Sequence, residues 1–189
     1  MTAKNVITLV VQYLGEYDLL STTTLGGNTA PSSEQTAKLN KLFSCVNDTI
    51  QTLSTMYFPL KYKQSITSQT GIYQFNSLQK ELLEIIKLTD MYNYDVKYEF
   101  FPAHFEAKNG TLNIEYTYLP DNATTFNQDL DIAKNFVTTR IVALGTISKY
   151  FMCLGMYNDA NEWNKMFETA CKVAKRRKDN VVIKKRRWL

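Results

Sequence analysis

Histidine is almost missing from this chain of 189 residues: His104 stands alone, beside three cysteines, four prolines and seven glycines. One histidine removes the commonest general base and metal ligand from every other position. Cys45, Cys153 and Cys171 are odd in number and widely spaced, with no CxxC pair, so neither a disulfide framework nor a zinc site is encoded. No HExxH, GxGxxG or GxxxxGK[ST] occurs, and Leu25-Gly26-Gly27-Asn28 has no strand ahead of it and no Lys-Ser behind it, which excludes a phosphate cradle. His104 lies between Pro102 and Phe105, where a histidine reads as a structural residue. The chain reads as no enzyme, with no cofactor and no metal.

Long apolar runs are absent too. The longest, Val6 to Leu14, is interrupted by Gln12, is preceded by no cationic region of the signal-peptide kind and falls far short of the roughly 20 residues a membrane span needs. The expected setting is intracellular, with no membrane, and the Asn-x-Thr triplets at Asn47, Asn109 and Asn122 carry no weight there. With 44% hydrophobic and 21% charged residues and so few glycines and prolines, the chain has the makings of one folded domain over residues 1–178 rather than of a linker.

Charge is where the sequence is lopsided. From Lys172 to Leu189 there are nine lysines and arginines against one acidic residue, Asp179, out of totals of 22 and 18. The body before Lys172 therefore keeps 13 basic and 17 acidic residues, an acidic body carrying a basic tail. Such asymmetry points to a partner rather than to a fold.

Apolar spacing predicts the elements. Val6, Leu9, Val10, Tyr13 and Leu14 predict a first helix over 4–14, capped by Gly15. A Ser/Thr/Gly-rich loop over 21–33 follows and is expected to be the most mobile part of the body. Ser32 or Ser33 then caps a long helix over 33–57, with Leu39, Leu42, Val46, Ile50 and Leu53 on one side, stopped by Pro59. From Leu60 the period changes to two, and an antiparallel sheet over 60–120 is expected. Its hairpin turns fall at Gln69-Thr70-Gly71 and Asn109-Gly110, and residues 78–89 form a helix running into a strand. Leu112, Ile114, Tyr116 and Tyr118 alternate with Thr111, Asn113, Glu115 and Thr117, which gives the sheet one apolar face. Two further helices, 129–154 and 158–178, pair antiparallel around Gly155. The fold class is α+β: a bundle of about four helices, an inserted antiparallel sheet and an extended basic C-terminal tail.

The tail divides in two. Lys172 to Lys178 continues the last helix, where cations suit the dipole. In residues 179–189, Val181, Val182, Ile183, Trp188 and Leu189 flank Lys184, Lys185, Arg186 and Arg187. Apolar groups of this size are costly to leave in water, and Trp and Arg are the residues enriched at interface hot spots, so this segment reads as a docking arm. A nuclear-localisation or nonspecific nucleic-acid patch is the alternative for the same cations. The chain's many tyrosines and phenylalanines alternate with Asn, Thr and Glu rather than with Lys and Arg, which favours packing over base stacking.

In its order of parts the chain resembles the bacteriophage head–tail adaptor (connector) proteins, the tail tubular protein A group among them. The resemblance runs through Tyr13-Leu14-Gly15-Glu16, the Ser/Thr/Gly loop, a long helix leading to Phe58-Pro59-Leu60, and the strand Ile114-Glu115-Tyr116-Thr117-Tyr118-Leu119-Pro120. It continues with Ser148-Lys149-Tyr150-Phe151 and closes on Gly155-Met156-Tyr157-Asn158-Asp159-Ala160-Asn161-Glu162-Trp163 and Arg186-Arg187-Trp188. The resemblance implies a homo-oligomeric ring, typically of twelve copies, assembled in the host cytoplasm and placed at the head–tail junction of the virion. It also implies viral DNA passing through the channel, tail or further ring proteins below, and portal protein above, held by Val181, Val182, Ile183, Lys184, Lys185, Arg186, Arg187, Trp188 and Leu189.

Overall fold

A computed structural model describes residues 1–178 of the chain. Residues 179–189, read as a docking arm, lie outside the described residues together with all nine expected portal-binding residues. The span read as one domain divides into two compact units, Met1–Thr49 with the described part of Ala123–Leu189, and Ile50–Asn122. The class is α+β, as expected: among the described residues there are four α-helices and two small antiparallel sheets.

The first unit is helical. Helix α1 (Ala3–Leu14) starts on the Thr2 side chain, which accepts from the Asn5 N–H, and ends at Gly15 with φ 71°, the left-handed conformation glycine adopts at least cost. Helix α2 (Ser33–Thr52) opens with a reciprocal box: Ser32 Oγ accepts from the Gln35 N–H at 3.2 Å and Gln35 Oε1 accepts from the Ser32 N–H at 2.9 Å. Beyond Thr49 the chain belongs to the second unit, and there Leu53–Tyr57 widens into a π-helical turn before Pro59 forces Phe58 out of the helical region, so the helix expected to Tyr57 changes pitch over its final five residues. The connection between α1 and α2 is a built structure. Two short 3₁₀ turns place Thr22 and Leu25 in the interior, Thr22 bridges to Thr29, and Gly27 lies so close to Ser21 that a Cβ would fall 2.0 Å from the Ser21 carbonyl oxygen.

Helix α3 (Thr139–Cys153) is the hub of this unit, with nine of its fifteen residues buried. At Gly145 an added Cβ would sit 2.6 Å from the Thr49 methyl and 2.9 Å from the Phe167 ring, so α3 is wedged between α2 and α4 (Tyr157–Lys178). Ser148 Oγ donates to the Ala160 carbonyl at 2.9 Å and ties the α3–α4 pair, whose turn closes at Gly155 with Met156 N–H on the Phe151 carbonyl. Burying side chains such as Ile7, Leu42 and Ile147 contributes about 1.5–3 kcal/mol each.

The helix expected over 129–154 begins ten residues late. Residues 123–138 spend their backbone groups elsewhere: Lys4 N–H donates to the Phe126 carbonyl at 2.8 Å and Leu130 N–H to the Met1 carbonyl at 2.9 Å. Asn47 brackets Ala123 from both sides at 3.0 Å. Thr138 then caps α3 by accepting from the Ile141 N–H. Chain-start pairing, which no local spacing announces, displaced the first turns of this helix.

The second unit holds six strands: β1 (Leu60–Ser68), β2 (Ile72–Gln74), β3 (Leu82–Asp90), β4 (Tyr98–Phe100), β5 (His104–Ala107) and β6 (Gly110–Tyr118). One sheet runs β1-β6-β3 and the other β2-β5-β4, both antiparallel, where one sheet was expected. Their registers explain the division. β1 pairs with β6 up to Ser68 opposite Gly110, and four residues further on each side Ile72 stands opposite Glu106. No register is lost, so β1–β2 and β5–β6 are two long arms of one ladder, interrupted at residues 69–71 and 107–109. Gln69-Thr70-Gly71 and Asn109-Gly110 are therefore interruptions within arms, not the hairpin turns expected. Gly71 (φ 82°) is required there, because a Cβ would meet the Ala107 carbonyl oxygen at 2.5 Å. Tyr73 secures the break, its Oη lying 2.9 Å from the carbonyl oxygens of both Lys108 and Gly110.

Leu112, Ile114, Tyr116 and Tyr118 form the buried row of β6 as the alternation predicts. Residues 78–81 do not form the helix expected to start at Leu78: Gln79 N–H donates to Gln64 Oε1 at 3.0 Å and Lys80 N–H to Tyr116 Oη at 3.3 Å, and β3 follows from Leu82.

Candidate interaction surfaces

The solitary His104 is held by its neighbours. Its ring stacks on Phe101 at 4.9 Å and its Nε2 lies 3.4 Å from Glu106 Oε1, so the groups about it are an aromatic ring and a carboxylate rather than a nucleophile. Cys45 and Cys171 are buried, and burial pushes both thiols up to about 12, where thiolate is scarce at neutral pH. Asp129-Leu130-Asp131 is an Asp-x-Asp spacing, where the acidic residues were expected to be dispersed with no such pair. Asp129 is taken by the Met1 ammonium at 2.9 Å and by Lys134 at 3.6 Å, and the hydrogen bond from that ammonium, followed by the Lys134 charge, holds its carboxyl below the usual range. Among the described residues no cluster of three or more His, Cys, Asp or Glu side chains is placed to hold a metal. No described helix is long and apolar enough to cross a membrane.

What the molecule offers instead is surface. Between α3, α4 and the segment before α3 lies a groove of about 570 Å³. Ile141, Leu144, Ala170 and Val173 give it an apolar floor, and Arg140 and Lys165 stand among its walls. Met166 and Val173 are nearly half exposed there, so the groove leaves apolar area in water. The groove runs along the half of α4 that leads to the arm. On that half Lys172 reaches Glu168 at 3.8 Å across one helical turn, and the cations expected to continue the last helix do so through Lys178.

A second surface is the outer face of the β1-β6-β3 sheet. A cleft of about 370 Å³ is lined by Lys63, Lys87, Asn93, Asn113 and Glu115 among others. Three lysines converge on one carboxylate: Lys63 Nζ is 3.0 Å and Lys61 Nζ 3.9 Å from Glu115, and Lys87 adds its charge from β3. The Lys63 hydrogen bond foremost holds the Glu115 carboxyl below its ordinary range. The hydroxyl row beside it is internally paired, Ser65 with Asn113 at 2.6 Å and Thr67 with Thr111 at 3.0 Å.

Neither surface was foreseen in the sequence, because a groove between helices and a glutamate on β6 met by lysines of β1 and β3 are made by pairing and register, not by local spacing. No protein-family model matches the chain, and no curated protein matches it in sequence.

Proposed function

We propose that the chain is a structural head–tail adaptor of a tailed bacteriophage. It forms a ring of identical copies beneath the portal, binds portal through the arm Val181–Leu189, and joins it to tail or further ring proteins, with viral DNA passing through the channel. The observation that carries this reading is the order of parts: a capped first helix, a long second helix ending before Pro59, a strand insertion, and an antiparallel helix pair whose last member delivers a cationic, apolar arm. The opposite charges of body and arm support it, since an acidic body and a basic arm attract across copies or onto an acidic neighbour. The exposed apolar groove beside α4 supports a role in contacts rather than in chemistry.

The test uses the full chain with purified portal, followed by mass photometry and electron microscopy. A ring on the portal is expected, and deletion of residues 181–189 is expected to abolish it. Portal binding that survives the deletion removes the arm's role. The second reading, a nucleic-acid-binding protein working through its basic tail, is favoured by the exposed cations Lys172, Lys175 and Arg176 on α4. It requires DNA binding that falls steeply with salt and is lost when Lys184 to Arg187 are neutralised.

A further inference from the structure

The two long edges of the strand unit are not alike. The edge made by β1 and β2 carries Lys61 and Lys63 and, among its described residues, one exposed large apolar side chain, Ile72 at 41%. Lysines of this kind protect a strand edge against unwanted pairing. The opposite edge, from β3 through the following loop to β4, exposes Met91, Tyr92, Tyr94, Tyr98 and Phe100, with Tyr92 and Tyr94 more than 70% exposed. Its acidic residues Glu84, Asp90, Asp95 and Glu99 outnumber Lys87 and Lys97.

At β4 the backbone is open as well. Phe101 N–H donates to the His104 carbonyl at 2.9 Å, and Glu99 stands opposite Glu106, so residues 99 and 101 turn their peptide groups toward β5. By the alternation of an antiparallel ladder, the N–H and C=O of Tyr98 and Phe100 then face away from the sheet. β4 is the last strand of its sheet, and nothing among the described residues pairs with that side. The side chains alternate in step: Tyr98 and Phe100 share the face of Phe105, against which Tyr98 packs at 6.0 Å, and Glu99 lies on the other face beside Glu106. Two carboxylates directly opposite one another repel, and Glu99 has no ion pair among the described residues.

We propose that the outer edge of β4 is a docking edge for an extended segment of a partner protein in which a lysine or arginine sits between two apolar residues. Such a segment adds a strand by pairing with the free peptide groups of Tyr98 and Phe100. In that register its cation stands directly across from Glu99 and relieves the Glu99–Glu106 repulsion, and its apolar residues cover Tyr98 and Phe100. The period of two on β4 thus specifies the period of two in the partner. The inference rests on the sheet alone and stands apart from the adaptor reading.

The probes are fluorescein-labelled nine-residue peptides, one alternating valine with lysine, one alternating valine with glutamate, and a valine–lysine peptide N-methylated on its valine nitrogens, the ones that face Tyr98 and Phe100 in this register. Fluorescence anisotropy with the full chain is expected to give binding of the valine–lysine peptide at least about tenfold tighter than of either other peptide. Glu99→Lys, at an exposed position, is expected to reverse the charge preference, which a merely structural glutamate would not do. Phe100→Pro removes the outward N–H without touching the β5 pairing, and is expected to abolish binding with the far-ultraviolet circular dichroism unchanged. Equal binding of the lysine and glutamate peptides overturns the proposal, as does no binding of either, or full binding of the methylated peptide. Sedimentation that shows self-association abolished by Phe100→Pro also overturns it, because the occupant would then be a second copy of this chain.

Discussion

The helical unit and the strand unit keep their apolar residues in different ways. In the helical unit α3 is covered on several sides, by α1, by α4 and, at Gly145, by Thr49 of α2. The strand unit is thinner. Its central arm buries mainly one row, Leu112 to Tyr118, and leaves the opposite row of β6 to hydroxyls, an amide and Glu115. A core shared by several elements tolerates the loss of one contact better than a single row does.

The largest expected effects test that difference directly. Tyr116→Ala empties the middle of the row and removes the hydroxyl that meets Gln64 and Lys80, for a loss of about 4 kcal/mol. Ile147→Ala in the middle of α3 is expected to lose about 3 kcal/mol. Hydrogen exchange read by mass spectrometry should show faster exchange within residues 60–118 for the first and within α1, α3 and α4 for the second. Exchange that rises everywhere in both variants would show one cooperative unit and end the comparison.

Next in size is the joint between β1–β2 and β5–β6. Tyr73→Phe leaves the Lys108 and Gly110 carbonyls without the hydroxyl they share, at an expected cost of about 1.5 kcal/mol in denaturant unfolding. The matching test in the helical unit is Thr138→Ala, which takes away the cap of α3 and is expected to cost about 1 kcal/mol. If Tyr73→Phe proves silent, the break between the arms is held by Gly71 and the ladder alone.

The two units also differ in how far the sequence announced them. Gly15, the Ser32–Gln35 box, Pro59 and Gly155 are local signals, and each marks a helix end within a few residues of where the chain places it. Residues 129–138 carried a helical spacing and still failed to form a helix, because Asp129 and Leu130 pair with Thr2 and Met1 at the other end of the chain. In the strand unit the alternation of β6 was legible and its pairing was not. Asn109-Gly110 has the composition of a hairpin turn, yet β5 and β6 belong to one arm and both pair with strands thirty or more residues earlier, β2 and β1. Turn chemistry acts over four residues and cannot report a ladder that continues through it. For the same reason the open edge of β4 was invisible: Tyr98 and Phe100 read as packed aromatics until their strand proved to be the last of its sheet. Residues 179–189 read as a docking arm from composition alone, as cations between apolar residues, and lie outside the described residues.

The smallest effect separates the two faces of β6 itself. Above the ordinary carboxylate range Glu115 is ionised in both folded and unfolded chains, and only the folded chain gains Lys63, Lys61 and Lys87 as neighbours. Its folded-state value is therefore depressed, and whatever stability the triad contributes is present at neutral pH and is lost as pH falls through that depressed value. A carboxylate–lysine contact this open to water is screened, so Lys63→Ala should move the melting temperature at pH 7 very little. The titration is the sensitive readout: carbon-detected NMR of the Glu115 carboxyl should show its midpoint rising toward that of an ordinary glutamate in Lys63→Ala. The rise should be smaller in Lys61→Ala, whose ammonium stands 3.9 Å away rather than 3.0 Å. An unmoved midpoint in both variants would place the cause of the depression in the sheet backbone. A large fall in melting temperature would mean that the outer row of β6 supports the strand unit as strongly as Tyr116 does from the buried row.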